Sequence, residues 1–215
     1  MITVFLHRDV FDDIKKVVPK CTNIVDGGSF HGGTVEALSD AYPNAEVYCF
    51  EPITTQHLRS NLSKNKKVRI FPYALGDSEG VVTMRVGTKE ETSSINPITA
   101  EGVAIYGTKV STQATVSVPM RTLDSILSCA EIIKLDVHGF ELAALRGATK
   151  LLQTTTAILI EVCFVPLFEG QPLFTEINTF MYNNSFRVYN IYHLSSTTNG
   201  QLICADILYV RHETD

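Results

Sequence analysis

The feature that most restricts this chain is a rhythm: from Asn23 onward, short apolar runs alternate with amphipathic helical patterns. Asn23 to Asp26 reads as a buried strand, Thr34 to Tyr42 as a helix and Glu46 to Phe50 as a strand. Thr54 to Asn65 reads as a helix capped by Thr54 or Thr55, and Val68 to Pro72 as a strand. Later come a strand over Ile132 to Leu135, a helix over Phe140 to Leu152, a strand over Ala157 to Phe164 and a helix over Phe174 to Asn184. Ahead of them, Val10, Phe11, Ile14, Val17 and Val18 mark one face of a helix. Strands alternating with helices at this spacing dictate βαβ units and hence a parallel sheet. The end of the chain departs from that rule. Phe186 to His193 and Leu202 to Arg211 are β-rich, and Leu194 to Gly200 between them leaves no room for a crossover helix. They form an antiparallel hairpin.

The middle breaks the rhythm. Two alternating runs, Val81 to Val86 and Thr115 to Pro119, flank a polar Thr/Ser/Gly stretch from Gly87 to Ala114. A connection that long without structure of its own is expected to be a functional loop or a disordered one. With 215 residues and no interdomain linker, the expectation is one domain over residues 1–215, with an N-terminal helix within 1–20.

Composition excludes several function classes. Apolar residues make up 45% and charged residues 19%, which rules out disorder and a coiled coil. The net charge is −5 and the only dense basic spot is Lys64, Lys66 and Lys67, so a nucleic-acid partner is not expected. The most apolar stretch, Ala157 to Phe168, is broken by Glu161 and Pro166, and falls short of the ~20 residues that span a bilayer. Asp9, Asp12 and Asp13 break any signal-peptide core. Five widely spaced cysteines with no C-x-x-C pair point to reduced thiols in a cytoplasmic protein, and no metal is expected.

Four motifs carry chemistry. The first is the turn Val25, Asp26, Gly27, Gly28, Ser29, Phe30, His31, Gly32, Gly33, Thr34 between a strand and a helix. Glycines there let the backbone turn tightly and approach a ligand. Their spacing misses the dinucleotide fingerprint and suits a cofactor without a pyrophosphate. The second is Phe50-Glu51-Pro52 at the end of the next strand, where a carboxylate can accept hydrogen bonds from a ribose diol. The third, Tyr73 to Asp77, offers Ala74 and Leu75 as flanks for a flat ring. The fourth is Ile133 to Glu141, which puts Asp136, Val137, His138 and Glu141 at the carboxyl end of a strand, the crevice where open α/β sheets bind ligands. Glu161, in an apolar strand, needs a partner or a function.

In this order and at these separations, D-x-G-x-x-x-G, F-E-P, A-L-G-D, K-L-D-V-x-G-x-E and I-E-V resemble the FkbM family of S-adenosylmethionine-dependent methyltransferases, from about Asn23 to Val210. The resemblance implies a Rossmann-like class I fold: a seven-stranded, mostly parallel sheet with a C-terminal antiparallel hairpin and helices on both faces. It implies S-adenosylmethionine as cofactor, S-adenosylhomocysteine as product and a hydroxyl acceptor on a glycan or other small molecule. Cofactor contacts would come from Asp26, Gly27, Gly28, Phe30, His31, Gly32, Thr34, Glu51, Pro52, Ala74, Leu75, Ser94, Asp136 and Val137. His138, Asp136 and Glu141 are the catalytic candidates, with His138 as first choice of base. The loop around Ser93 and Ser94 would close over the site. This chain has His138 where the family usually has Glu, a change compatible with base chemistry. The rival readings are a non-catalytic cofactor-binding module of the same fold and a nucleotide-dependent oxidoreductase. Oligomeric state is not legible.

Overall fold

The computed structural model describes residues 9–89, 92–107 and 109–212. Residues 1–8 of the expected N-terminal segment, and 90, 91 and 108 of the 87–114 loop, lie outside them. The chain runs α1 (Val10–Val17), β1 (Asn23–Gly27), α2 (Gly33–Ala41), β2 (Glu46–Phe50), α3 (Thr55–Asn61), β3 (Val68–Phe71), β4 (Ala74–Leu75) and β5 (Gly80–Gly87). It continues α4 (Ala100–Tyr106), β6 (Thr112–Arg121), β7 (Ile132–Leu135), α5 (Glu141–Arg146), β8 (Ala157–Cys163), α6 (Phe174–Asn183), β9 (Phe186–Ser196) and β10 (Leu202–Arg211). Seven strands form one sheet in the order β3-β2-β1-β7-β8-β10-β9. Strands β3 to β8 in that order pair in parallel, and β10 runs antiparallel to both β8 and β9.

Period-two burial explains why this sheet needs helices on both faces. Val25, Phe50, Ile133, Ile158 and Ile160 face one core, shared with Leu145 of α5 and Ile177 of α6. Ile24, Val47, Cys49, Ile132 and Leu159 face the other, shared with Ile14 of α1, Leu38 of α2 and Leu58 of α3. Helix α1 is tied down by a buried Asp13, which accepts a 2.8 Å hydrogen bond from the Tyr192 hydroxyl of β9 and pairs with Lys16. The hairpin is as the turn length requires, and its last strand, β10, is the antiparallel one.

Three expectations need correction. Helix α3 stops at Asn61, and no threonine side chain caps it: Thr54 Oγ1 donates to the Phe30 carbonyl and Thr55 Oγ1 to the Glu51 carbonyl. Helix α5 spans only Glu141–Arg146, after which Gly147 turns the chain toward a 3₁₀ turn at Leu151–Thr154. The Gly87 to Ala114 stretch is not a bare loop. It holds α4, capped by Thr99 Oγ1 accepting from the Gly102 amide, and α4 closes an apolar cluster of Cys163, Leu167, Phe168 and Ile203 with Ile98, Ile105 and Tyr106. Its flanks belong to a second, three-stranded sheet in the order β4-β6-β5. That sheet stands over the carboxyl ends of β1, β2 and β7, where it contributes Met84, Val86 and Gln113 to a cleft of about 260 Å³. Of the cysteines, Cys49, Cys163 and Cys204 are buried free thiols, while Cys129 is exposed.

Candidate functional site

The cleft begins where β1 ends. Gly28 has φ +77°, and a Cβ on it would lie 1.8 Å from the Asp136 carbonyl oxygen, so only glycine fits. The Gly28 amide donates to the Phe50 carbonyl and the Asp136 amide to the Gly27 carbonyl, which brings the ends of β1, β2 and β7 together. Ser29 Oγ donates to the Asp26 carbonyl, and Gly32, at φ +95°, opens α2. Phe30 takes up a left-handed φ of 46° and stacks on His31 with ring centroids 3.9 Å apart.

Glu51, 7% exposed, organises the opposite wall. Its Oε1 accepts from the amides of Ile53 (2.8 Å) and Thr54 (3.1 Å), and its Oε2 accepts from the Phe30 amide at 3.0 Å. One carboxylate therefore ties the β1–α2 turn to the β2–α3 turn. Oε2 has a single protein donor, which leaves it acceptor capacity toward the cleft.

A buried charge row lies beneath these turns. Lys134 on β7 puts its Nζ 3.7 Å from Asp26 Oδ1 and 3.5 Å from Asp136 Oδ2, and donates to the Gly28 carbonyl at 3.3 Å. Burial disfavours its charge, but Asp136 and Asp26 outweigh burial and hold its pKa above the ordinary lysine value. Asp26 is fully buried, and burial raises its pKa against the partial offset from Lys134. Burial also opposes ionisation of Asp136, yet the Lys134 ammonium prevails and keeps its carboxyl below the usual range. Among the described residues, both Asp26 carboxylate oxygens and Asp136 Oδ1 are buried with no hydrogen-bond partner.

His138 is held from two sides. Its backbone is left-handed at φ 49°, a conformation that a non-glycine residue adopts only where its surroundings impose it. Ser94 Oγ donates to the His138 carbonyl at 2.7 Å, and His138 Nδ1 lies 2.9 Å from the Ser93 carbonyl. A carbonyl only accepts, so Nδ1 carries a proton, and in the neutral imidazole Nε2 presents a lone pair. That Nε2 lies 3.5 Å from Asp136 Oδ1. Glu141 is turned back under the loop, where it accepts from the amides of Val137 (2.9 Å) and Gly139 (3.1 Å). Burial raises its pKa, with Asp136 adding to the effect.

The sequence candidates thus separate into two groups. Gly28, Phe30, Glu51, Pro52, Ala74, Leu75, Asp136, Val137 and His138 line the cleft. Gly27, Gly32 and Thr34 shape the first turn, and the His31 backbone carbonyl accepts from Asn61 Nδ2. Asp26 lies beneath that turn rather than on the wall, and buried Ser94 reaches the site through the His138 backbone while Ser93 lines the cleft. Sequence reasoning missed Lys134, although it stands inside the K-L-D motif, and missed Met84, Val86 and Gln113 on the second sheet and Ile95 between β5 and β6. Nothing local in the sequence ties that sheet to the cleft.

Residues 31–188 match the Methyltransferase FkbM domain, which covers most of the chain. The 2-O-methyltransferase NoeI of Sinorhizobium fredii is 26% identical over 178 residues, 77% of this chain and 72% of that protein. The crystal structure of a methyltransferase FkbM from Methylobacillus flagellatus KT superposes on 86% of this chain with a TM-score of 0.57 and 15% identity. This chain spans only 43% of that one. Magnesium protoporphyrin IX methyltransferase from Synechocystis PCC 6803, solved with bound SAM, superposes on 94% of this chain and 78% of its own length, with a TM-score of 0.54 and 12% identity.

Proposed function

The chain belongs to the FkbM family of S-adenosylmethionine-dependent methyltransferases, and from that premise we propose that it methylates a hydroxyl group on a glycan or similar small molecule. The residues present fit the cofactor. Gly28 lets the first turn close on the Asp136 backbone where both residues line the cleft, Glu51 Oε2 retains acceptor capacity for a ribose diol, and Pro52, Ile53, Ala74 and Leu75 make an apolar wall for a flat base. When bound, the cofactor supplies an electrophilic methyl group on a sulfonium.

The chain's own residues align, exclude water and handle a proton. The Asp136–His138 end of the cleft is where an acceptor hydroxyl meets a lone pair, because Nδ1 is committed to the Ser93 carbonyl and Nε2 is not. Alignment at that point is worth more to an in-line displacement than any single polar contact. Phe140, Met84 and Ile95 line the cleft and limit water. Glu141 acts as a positioning residue: by holding the amides of Val137 and Gly139 it fixes the turn from which His138 projects.

The observation that carries the reading is this juxtaposition of Gly28, Glu51, Asp136 and His138 around one cleft in a chain of this family. The likeness to a 2-O-methyltransferase supports oxygen as the acceptor atom. Calorimetry with S-adenosylmethionine, S-adenosylhomocysteine and NAD, followed by a labelled-methyl assay on a panel of glycans, tests it. Binding of the first two without NAD, and label recovered as a methyl ether, is expected. Cofactor binding with label recovered only on nitrogen would refute the hydroxyl assignment.

A further inference from the structure

Glu161 stands on β8, next to β7, and the proposed function gives it no task. Its carboxylate, a carboxylate oxygen of Asp136 and a ring nitrogen of His138 all lie within 4.8 Å of one another. No spacing motif announces this, since Glu161 reaches Asp136 and His138 through sheet pairing rather than chain proximity.

Three observations bear on what this trio does. The first is the imidazole's tautomer: with Nδ1–H on the Ser93 carbonyl, Nε2 is free to coordinate, which is the usual arrangement of a metal-binding histidine. The second is that Nε2 lies 3.5 Å from Asp136 Oδ1, a buried oxygen with no hydrogen bond of ordinary geometry. With the imidazole neutral, two lone pairs so placed can share one positive centre. Lys134 does not fill that role, because it serves the other oxygen, Oδ2. The third is Glu161 itself, in an apolar strand between Ile160 and Val162, where a carboxylate calls for a partner.

We propose that Asp136, His138 and Glu161 form a divalent-cation site of the Mn²⁺ type at the acceptor end of the cleft. Two carboxylates and one imidazole are a hard-to-borderline donor set, suited to Mn²⁺ ahead of Ca²⁺ or a soft ion. His138 and Asp136 line the cleft, so the remaining positions open toward water and the acceptor. The inference rests on the proposed function and deepens it. A hydroxyl bound to such a cation becomes acidic enough to lose its proton to water, so the cation replaces the free imidazole as the means of deprotonation. A vicinal diol could occupy two positions, which suits a sugar acceptor.

Cys163 and Cys204 also lie within 4.8 Å of Glu161 and define the competing location for an ion. The experiment uses the full chain stripped with a chelator and titrated with Mn²⁺, with loss of the free-ion EPR signal as readout and S-adenosylmethionine calorimetry alongside. About one ion per chain is expected. His138→Asn, chosen because Asn tolerates the left-handed backbone, and Glu161→Gln should each weaken Mn²⁺ binding by about tenfold or more. Both should keep their cofactor affinity and melting behaviour, and Cys163→Ser should change nothing. No Mn²⁺ binding by protein that binds the cofactor overturns the site and leaves the methyltransferase reading standing. Equal binding in all variants means an adventitious ion and also overturns it, as does binding lost in Cys163→Ser alone. Mn²⁺ binding that depends on His138 and Glu161, without methyl transfer to any hydroxyl, supports the site and defeats the acceptor assignment.

Discussion

Glu51 holds the amides of Phe30, Ile53 and Thr54, so truncating it would loosen two turns as well as remove a ligand contact. Glu51→Gln is the cleaner probe. Its amide oxygen can still serve Ile53 and Thr54, but its NH₂ meets the Phe30 N–H donor to donor. Affinity for S-adenosylmethionine should fall by roughly 1.5–3 kcal/mol, the range for hydrogen bonds to a charged group, and calorimetry beside a melting curve checks it. An unchanged affinity would move the ribose contact elsewhere. Gly28→Ala differs in kind: its Cβ would collide with the Asp136 backbone, and its φ of +77° disfavours any side chain. A loss of about 3 kcal/mol or more in folding stability is expected from chemical denaturation, and a Gly28→Ala variant as stable as the parent would refute the close approach. At this scale the sequence was informative wherever a residue type is forced by position, as with Gly28 and Glu51. It was silent where two distant residues meet: Ser93 on His138, or Glu161 beside Asp136.

Among the elements, β1 and β7 are pinned at the end away from the cleft. Glu131, just ahead of β7, accepts from the amides of Thr22 (3.1 Å) and Asn23 (2.8 Å) and from Thr22 Oγ1 (2.9 Å). Partial burial opposes its charge, but those hydrogen bonds outweigh it and lower its pKa. A carboxyl whose folded pKa is depressed stabilises the fold above its unfolded value and loses that contribution as pH falls through the folded one. Glu131→Gln should therefore cost about 1 kcal/mol or less at pH 7, since the group is partly exposed and screened. The difference from the parent should vanish below about pH 4. Urea titrations at both pH values check it, and a gap that persists in acid would mean that packing, not charge, is at stake. The strands themselves were legible because both faces of the sheet are buried, which writes continuous apolar runs into the sequence. Helix ends were not, since the stops of α3 and α5 depend on the turns that follow rather than on amphipathic period.

The molecule as a whole places a second sheet and α4 over the end of the first, and this is what the sequence concealed. Strand β4 has two residues, and its parallel partner β6 lies far along the chain, so no local pattern announces the pairing. The same assembly carries Ser93 and Ser94 onto His138, which couples the 87–114 segment to the cleft through two hydrogen bonds at its tip. The rest of that segment is anchored differently, because α4 packs on Cys163, Leu167 and Phe168 through apolar contact. Those two attachments should respond differently to ligand. Filling the cleft beside Ser93 and Ile95 removes water from the tip and restrains His138, whereas α4 gains nothing new. Hydrogen exchange measured with and without S-adenosylhomocysteine should show slower exchange over residues 93–96. Exchange in α4 and in the β9–β10 hairpin should stay as it was. Limited proteolysis of the ligand-free protein should likewise cut this segment before any other internal one. If residues 93–96 exchange equally fast with the cleft filled, they are a fixed wall of the site, and closure over the cofactor is not how this chain excludes water.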